Sequence, residues 1–102
     1  MNFAEREEKL SYLKNKLSVS ARYEQLSEEC GELIQASLKY LRALGNGNPT
    51  PVSIEEAYKN LKEEVTDVYL SMLVIDLYPS EKELDEKLER WYDRVKEVNE
   101  ND

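Results

Sequence analysis

The chain has no histidine and only one cysteine among its 102 residues, and these two shortages remove much of the usual catalytic machinery. Without histidine there is no Ser-His-Asp or Cys-His nucleophilic site, no His-ligated zinc, and no Glu-x-x-His ligation of a di-iron bundle. The single thiol, Cys30, excludes an intrachain disulfide and a zinc site built on several thiolates. It falls on an apolar helical stripe and reads as a small buried hydrophobe. No apolar run approaches the length of a membrane span, and Met1 to Leu10 is charged and lacks a signal-like apolar core, so the expected location is cytoplasmic. Basic residues are outnumbered, 14 against 22 acidic, for a net charge of -8. That balance repels a phosphate backbone, and no basic stripe with interleaved aromatics offsets it, so neither nucleic acid nor membrane is an expected partner.

What is present is a single domain, residues 1–102, with room for one small core. At 35% charged and 40% hydrophobic residues the composition is that of a globular chain. Carboxylates are the only side chains left for metal work, and an all-oxygen shell suits magnesium or manganese.

The periodicity is helical throughout. Phe3, Leu10, Leu13 and Leu17 predict a first helix from about Ala4 to Leu17. Ser18-Val19-Ser20 breaks the chain and caps a second helix, expected over Ala21 to Leu44 and stopped by Gly45. Gly45-Asn46-Gly47-Asn48-Pro49-Thr50-Pro51 is the one clear loop. Ser53 with Glu56 forms a capping box for a third helix, expected to run through Leu77 to a stop at Pro79, and Ser80 with Glu83 repeats the box for a fourth. Leu84, Leu88, Trp91, Val95 and Val98 form the fourth helix's apolar stripe, and Asn99 to Asp102 reads as a frayed polar tail. Leu70, Leu73, Val74 and Leu77 lie off the third helix's main stripe, which makes its second half apolar nearly all round and predicts a central position or a subunit interface. No strand alternation or solenoid repeat occurs. The expected fold is all-α, four-helix bundle-like, and oligomeric, as dimer or tetramer, because four short helices cannot cover both apolar surfaces.

Two acidic steps stand out, Glu29/Glu32 and Glu64/Asp67, each pairing carboxylates three residues apart on one helix face. Glutamate is frequent here, and Glu5/Glu8, Glu83/Glu86, Glu86/Glu89 and Glu97/Glu100 repeat the spacing, so position on the helix decides. Against a stripe through Leu26, Cys30, Leu33, Ser37 and Leu44, Glu29 and Glu32 fall about 60° and 120° to one side. Against Leu61, Val65, Val68 and Met72, Glu64 and Asp67 take the same offsets of about 60° and 120°. Glu5/Glu8 and Glu86/Glu89 point away from their stripes. Two acidic pairs in matched positions beside an apolar seam are placed to face each other as metal ligands.

The run Glu28-Glu29-Cys30-Gly31-Glu32-Leu33, then Ala36 and Lys39, a loop, and Glu63-Glu64-Val65-Thr66-Asp67-Val68 resembles the MazG-like all-α nucleoside triphosphate pyrophosphohydrolases, whose signature is Glu-Glu-x-x-Glu followed on the next helix by Glu-x-x-Asp. The likeness spans roughly Tyr23 to Leu77. One departure is the 31-residue gap between Glu32 and Glu64, slightly long for that family and assigned to the Gly45 to Pro51 loop. The resemblance implies Mg2+-dependent cleavage between the α and β phosphorus atoms of a nucleoside triphosphate, with Glu29, Glu32, Glu64 and Asp67 as metal ligands. It also implies a homo-oligomer, and a role for Glu28 in holding or deprotonating the attacking water. Lys39, two turns beyond Glu32 on its face, is placed to contact a phosphate oxygen as a point charge. Tyr40, Tyr69 and Trp91 are candidates to stack on a base, against the plainer reading of core or interface aromatics. Gln25, one turn before Glu29, is a candidate to read a base or sugar hydroxyl. The competing readings are a phosphoribosyl-ATP pyrophosphohydrolase of similar fold and a non-catalytic helical interaction module.

Overall fold

A computed structural model describes residues 1–101, and side chains through residue 100. It consists of four helices, α1 (Phe3–Lys16), α2 (Val19–Ala43), α3 (Ile54–Val74) and α4 (Glu81–Asn101), with no strand among the described residues. Each start has a side-chain cap that satisfies one of the unpaired amides of a helix's first turn. Asn2 accepts from the Glu5 amide at 2.8 Å, Ser18 from Ala21 at 3.0 Å, Ser53 from Glu56 at 3.1 Å and Ser80 from Glu83 at 3.3 Å. Ser18 itself is the α2 cap, so that helix begins two residues earlier than the periodicity predicts. No described helix is long and apolar enough to cross a membrane.

α2 and α3 end in the same hydrogen-bonded turn. After α2, Gly45 takes φ 94° and donates to the Arg42 carbonyl, while Asn46 donates to Leu41. After α3, Asp76 donates to Leu73 and Leu77 donates to Met72. This is the Schellman pattern, which needs a left-handed residue just past the helix. Asp76 fills that place at φ 56°, in a conformation that Asp tolerates better than most non-glycine residues. A 2.7 Å ion pair from Lys14 of α1 to the Asp76 carboxylate holds the turn. The expected continuation of helix three to Leu77 is therefore replaced by a stop at Val74, set by local hydrogen bonding before Pro79 acts.

α2 and α3 form an antiparallel pair: Arg22 near the start of α2 donates through Nη1 to the carbonyl of Val74 at the end of α3, and Tyr40 near the end of α2 packs against Tyr58 near the start of α3, ring centroids 5.6 Å apart and planes tilted by 48°. The inward positions of α2 are Arg22, Leu26, Glu29, Leu33, Ala36, Tyr40 and Ala43, and those of α3 are Ala57, Leu61, Glu64, Val68 and Ser71, all buried or half-buried. The steps of four and three alternate, as in a coiled-coil seam. The most buried side chains are Ala36 and Ala57, at 2% and 1% exposure. Small residues at the crossing let the helices approach closely and turn the seam roughly 40° toward the acids, relative to the stripe drawn from hydrophobicity alone. Ser37, Leu44 and Val65, which the sequence placed on the stripe, are exposed as a result.

α1 packs against α3 and buries Leu10, and Val74 is buried too, so own-chain packing covers part of what the sequence left to a partner. Leu70 and Leu77 remain nearly half exposed. α4 is different. Every described side chain on it is exposed, including Leu84, Leu88, Trp91, Val95 and Val98, so one chain does not close into a four-helix bundle. The helix continues through the residues expected to fray, as far as Asn101; Asp102 lies outside the described residues. A radius of gyration of 18.0 Å contrasts with about 13 Å for a compact chain of this length.

Candidate metal centre

Glu29 and Glu64 occupy the seam itself, and Glu32 and Asp67, one turn from each, stand at its solvent edge. Each of the four offers one carboxylate oxygen, and these oxygens lie within 4.8 Å of one another. The two inner carboxylates each keep one oxygen, Oε2, buried without a hydrogen-bond partner. Unpaired buried carboxylate oxygens are costly. The donor set is all oxygen, carries up to four negative charges and includes two inward oxygens with nothing to bond, so it fits a hard divalent cation such as magnesium or manganese.

The electrostatics follow from the crowding. Desolvation, followed by the nearby charges of Glu32 and Asp67, raises the Glu29 carboxyl above its ordinary 4.5, while a hydrogen bond from Gln25 opposes the shift. Gln25 Nε2 donates to Glu29 Oε1 at 2.6 Å, fixing one oxygen and leaving the other turned inward.

Beside the quartet is a cleft of about 270 Å³, bordered by Glu29, Asp67, Gln25, Arg22 and Ser71 and floored by leucines of α1 and α3. Larger hollows run along α4, one of them lined by Lys87, Arg90, Trp91, Asp93 and Arg94, but these are the open flank of a single helix with no second element opposite. Arg22 is the functional candidate that sequence reasoning missed. It lies two turns before Glu29 on the seam, and its Nε is buried with no partner. The available signal was the heptad spacing from Leu26 and Glu29, which places a cation in line with the acids.

The other predicted residues are dispersed. Glu28 is exposed on α2, outside the quartet, and Lys39 is exposed and forms no ion pair among the described residues. Tyr40 packs on Tyr58, eleven residues and so roughly 16 Å along α2 from Glu29. Tyr69 is exposed on the side of α3 away from the acids, and Trp91 is exposed on α4. None of these three aromatics borders the cleft. No family model matches the chain, and no match was found among curated proteins or solved structures.

Proposed function

We propose that this protein is a magnesium-dependent nucleoside triphosphate pyrophosphohydrolase, releasing a nucleoside monophosphate and pyrophosphate. The observation that carries the reading is the pair of orphaned inward oxygens on Glu29 and Glu64 within a quartet spanning 4.8 Å. A surface charge cluster has no reason to hold carboxylate oxygens away from water. The double acidic motif and its resemblance to the MazG-like enzymes add the substrate class.

Glu29, Glu32, Glu64 and Asp67 would hold the ion. Bound there, magnesium would supply charge neutralisation at the phosphates and a more acidic water. Gln25 orients Glu29 through its 2.6 Å hydrogen bond. Glu28, one turn before Glu32 and open to solvent, takes the proton of the attacking water as its oxygen bonds to phosphorus and the α-β bridge breaks. Lys39 meets the leaving phosphates only if they extend along the exposed face of α2. The cleft between α1 and the α2–α3 pair takes the nucleoside end, with its apolar floor against the base.

The test is product analysis on purified protein supplied with a panel of triphosphates and, separately, phosphoribosyl-ATP, with and without magnesium. Monophosphate and pyrophosphate in the magnesium arm are expected. Diphosphate and orthophosphate would overturn the α-β assignment, turnover of phosphoribosyl-ATP alone would move the protein to that neighbouring chemistry, and no turnover with either would leave the interaction-module reading in its place.

A further inference from the structure

The chain displays two apolar surfaces that its own fold leaves uncovered. The first is the α4 stripe. Leu84, Leu88, Trp91, Val95 and Val98 recur at steps of four, three, four and three, and are 49–66% exposed. The second lies on the α2–α3 pair. Ile34 and Leu41 stand roughly a third of a turn from the α2 seam line, with Leu38 further round in the same sense at nearly half a turn, and Tyr58, Val65 and Tyr69 stand roughly a third of a turn from that of α3. In an antiparallel pair, offsets of the same sense fall on the same side. All six therefore share one face, opposite the edge that carries Glu32 and Asp67, and each is 46–62% exposed.

Surface area indicates what covers them. The chain exposes 8466 Å², whereas a compact monomer of its mass exposes about 6,000 Å², leaving an excess of roughly 2,500 Å². Obligate homodimers bury roughly 1,000–2,500 Å² per partner. The α4 stripe spans only two heptads, too few for a stable coiled coil of its own, and pairing α4 with α4 would leave the α2–α3 face open. A membrane surface is the wrong partner, since α4 carries eight acidic against five basic residues and interfacial helices are basic. Nor is α4 turned back on its own chain: the Asp76 turn and the Lys14 ion pair fix where the connection leaves α3.

We infer that α4 of one copy docks its Leu84–Val98 stripe on the Ile34/Leu38/Tyr58/Val65 face of a second copy, which docks its own α4 in return about a two-fold axis. One operation covers both surfaces of both chains. In proteins most helical stability comes from tertiary packing of an amphipathic face, so the order of α4 goes with this contact. The acidic quartet lies on the opposite side, so this inference stands or falls independently of the catalytic one.

The experiment is complementation by mixing, read by light scattering at micromolar concentration. The unmodified chain should have twice the 12.0 kDa chain mass. Leu88→Glu, which spoils the arm, and Leu38→Glu, which spoils the face, should each reduce it to the chain mass. An equimolar mixture should recover the doubled mass, because the intact α4 of the Leu38→Glu copy meets the intact face of the Leu88→Glu copy. Pairing arm to arm or face to face gives no such rescue. Hydrogen exchange on the unmodified chain needs no variant: amides between Leu84 and Val98 should be protected in the assembled protein and lose protection on dilution. A monomeric parent, a mixture that fails to recover, or free exchange along α4 in the assembled protein would overturn the inference.

Discussion

Glu64→Gln in the seam is the perturbation that most directly separates a metal centre from a charged helix face. On the proposed metal-centre reading, magnesium binds the folded quartet and not the unfolded chain, so at a hundredfold excess over its dissociation constant it adds about 2.7 kcal/mol to stability. For a domain near 100 residues each kcal/mol moves the melting temperature by about 4–8 °C, which predicts a magnesium-dependent rise of about 10–20 °C. The substitution removes one of two inward ligands and one of four like charges gathered within 4.8 Å. The new amide also brings N–H donors into a cluster of carboxylates in which Glu29 keeps an oxygen without a partner. Metal-free Glu64→Gln should thus melt no lower than the metal-free parent, while losing most of the magnesium-dependent rise and all of the turnover. The assay is a thermal melt across a magnesium titration, paired with pyrophosphate release. Glu86→Gln, at an exposed site on α4, should leave both readouts unchanged. Identical magnesium responses in the Glu64 and Glu86 variants would refute the reasoning, because the acids would then be an ordinary solvated surface.

Three further outcomes follow from the same structure. The raised Glu29 carboxyl contributes stability that is full below 4.5 and lost as pH rises through its folded-state value, so metal-free Glu29→Gln should gain on the parent near neutrality and lose that advantage as melts are taken down toward pH 4.5. Ser53→Ala removes the cap on the Glu56 amide and should cost about 1 kcal/mol in urea unfolding, with the slope unchanged. Ala36→Leu puts three extra carbons into the tightest point of the α2–α3 seam and should cost about 1–3 kcal/mol; because it forces the pair apart, magnesium affinity should fall as well, which isothermal titration will measure.

The sequence made the quartet legible because its signal is redundant. The two acidic steps have the same spacing and the same offset from their stripes, and an error in drawing one stripe is matched by the same error in the other. Glu29, Glu32, Glu64 and Asp67 consequently come together even though the true seam lies roughly 40° from the predicted line. That rotation was illegible for a physical reason. Hydrophobicity weights Leu44 and Val65 above Ala36 and Ala57, whereas the close approach of two helices is decided by what is small enough to sit between them. The same bias hid Arg22, since a basic residue at the head of an apolar heptad counts against the stripe it belongs to.

The residues around the quartet were harder to read because their evidence is not redundant. Lys39, Tyr40, Tyr69 and Trp91 were each placed by one spacing or by residue type alone, and Glu28 by its match to the family's leading glutamate; the structure puts Tyr40 in the α2–α3 seam, Glu28, Lys39 and Tyr69 on exposed flanks of that pair, and Trp91 on α4. The end of α3 was misread because proline is visible at a distance, while a Schellman turn closed by an aspartate at φ 56° depends on a backbone conformation that composition does not report. For α4 the periodicity was right and the inference drawn from it too narrow. An apolar stripe on a helix states that something covers it, and covering by the same chain is only the commonest case. Here the stripe is intact, every described side chain of α4 is exposed, and the surplus surface is the size of a subunit interface, so the pattern in residues 84–98 does not describe the interior of this chain, which is why we propose that a second copy covers it.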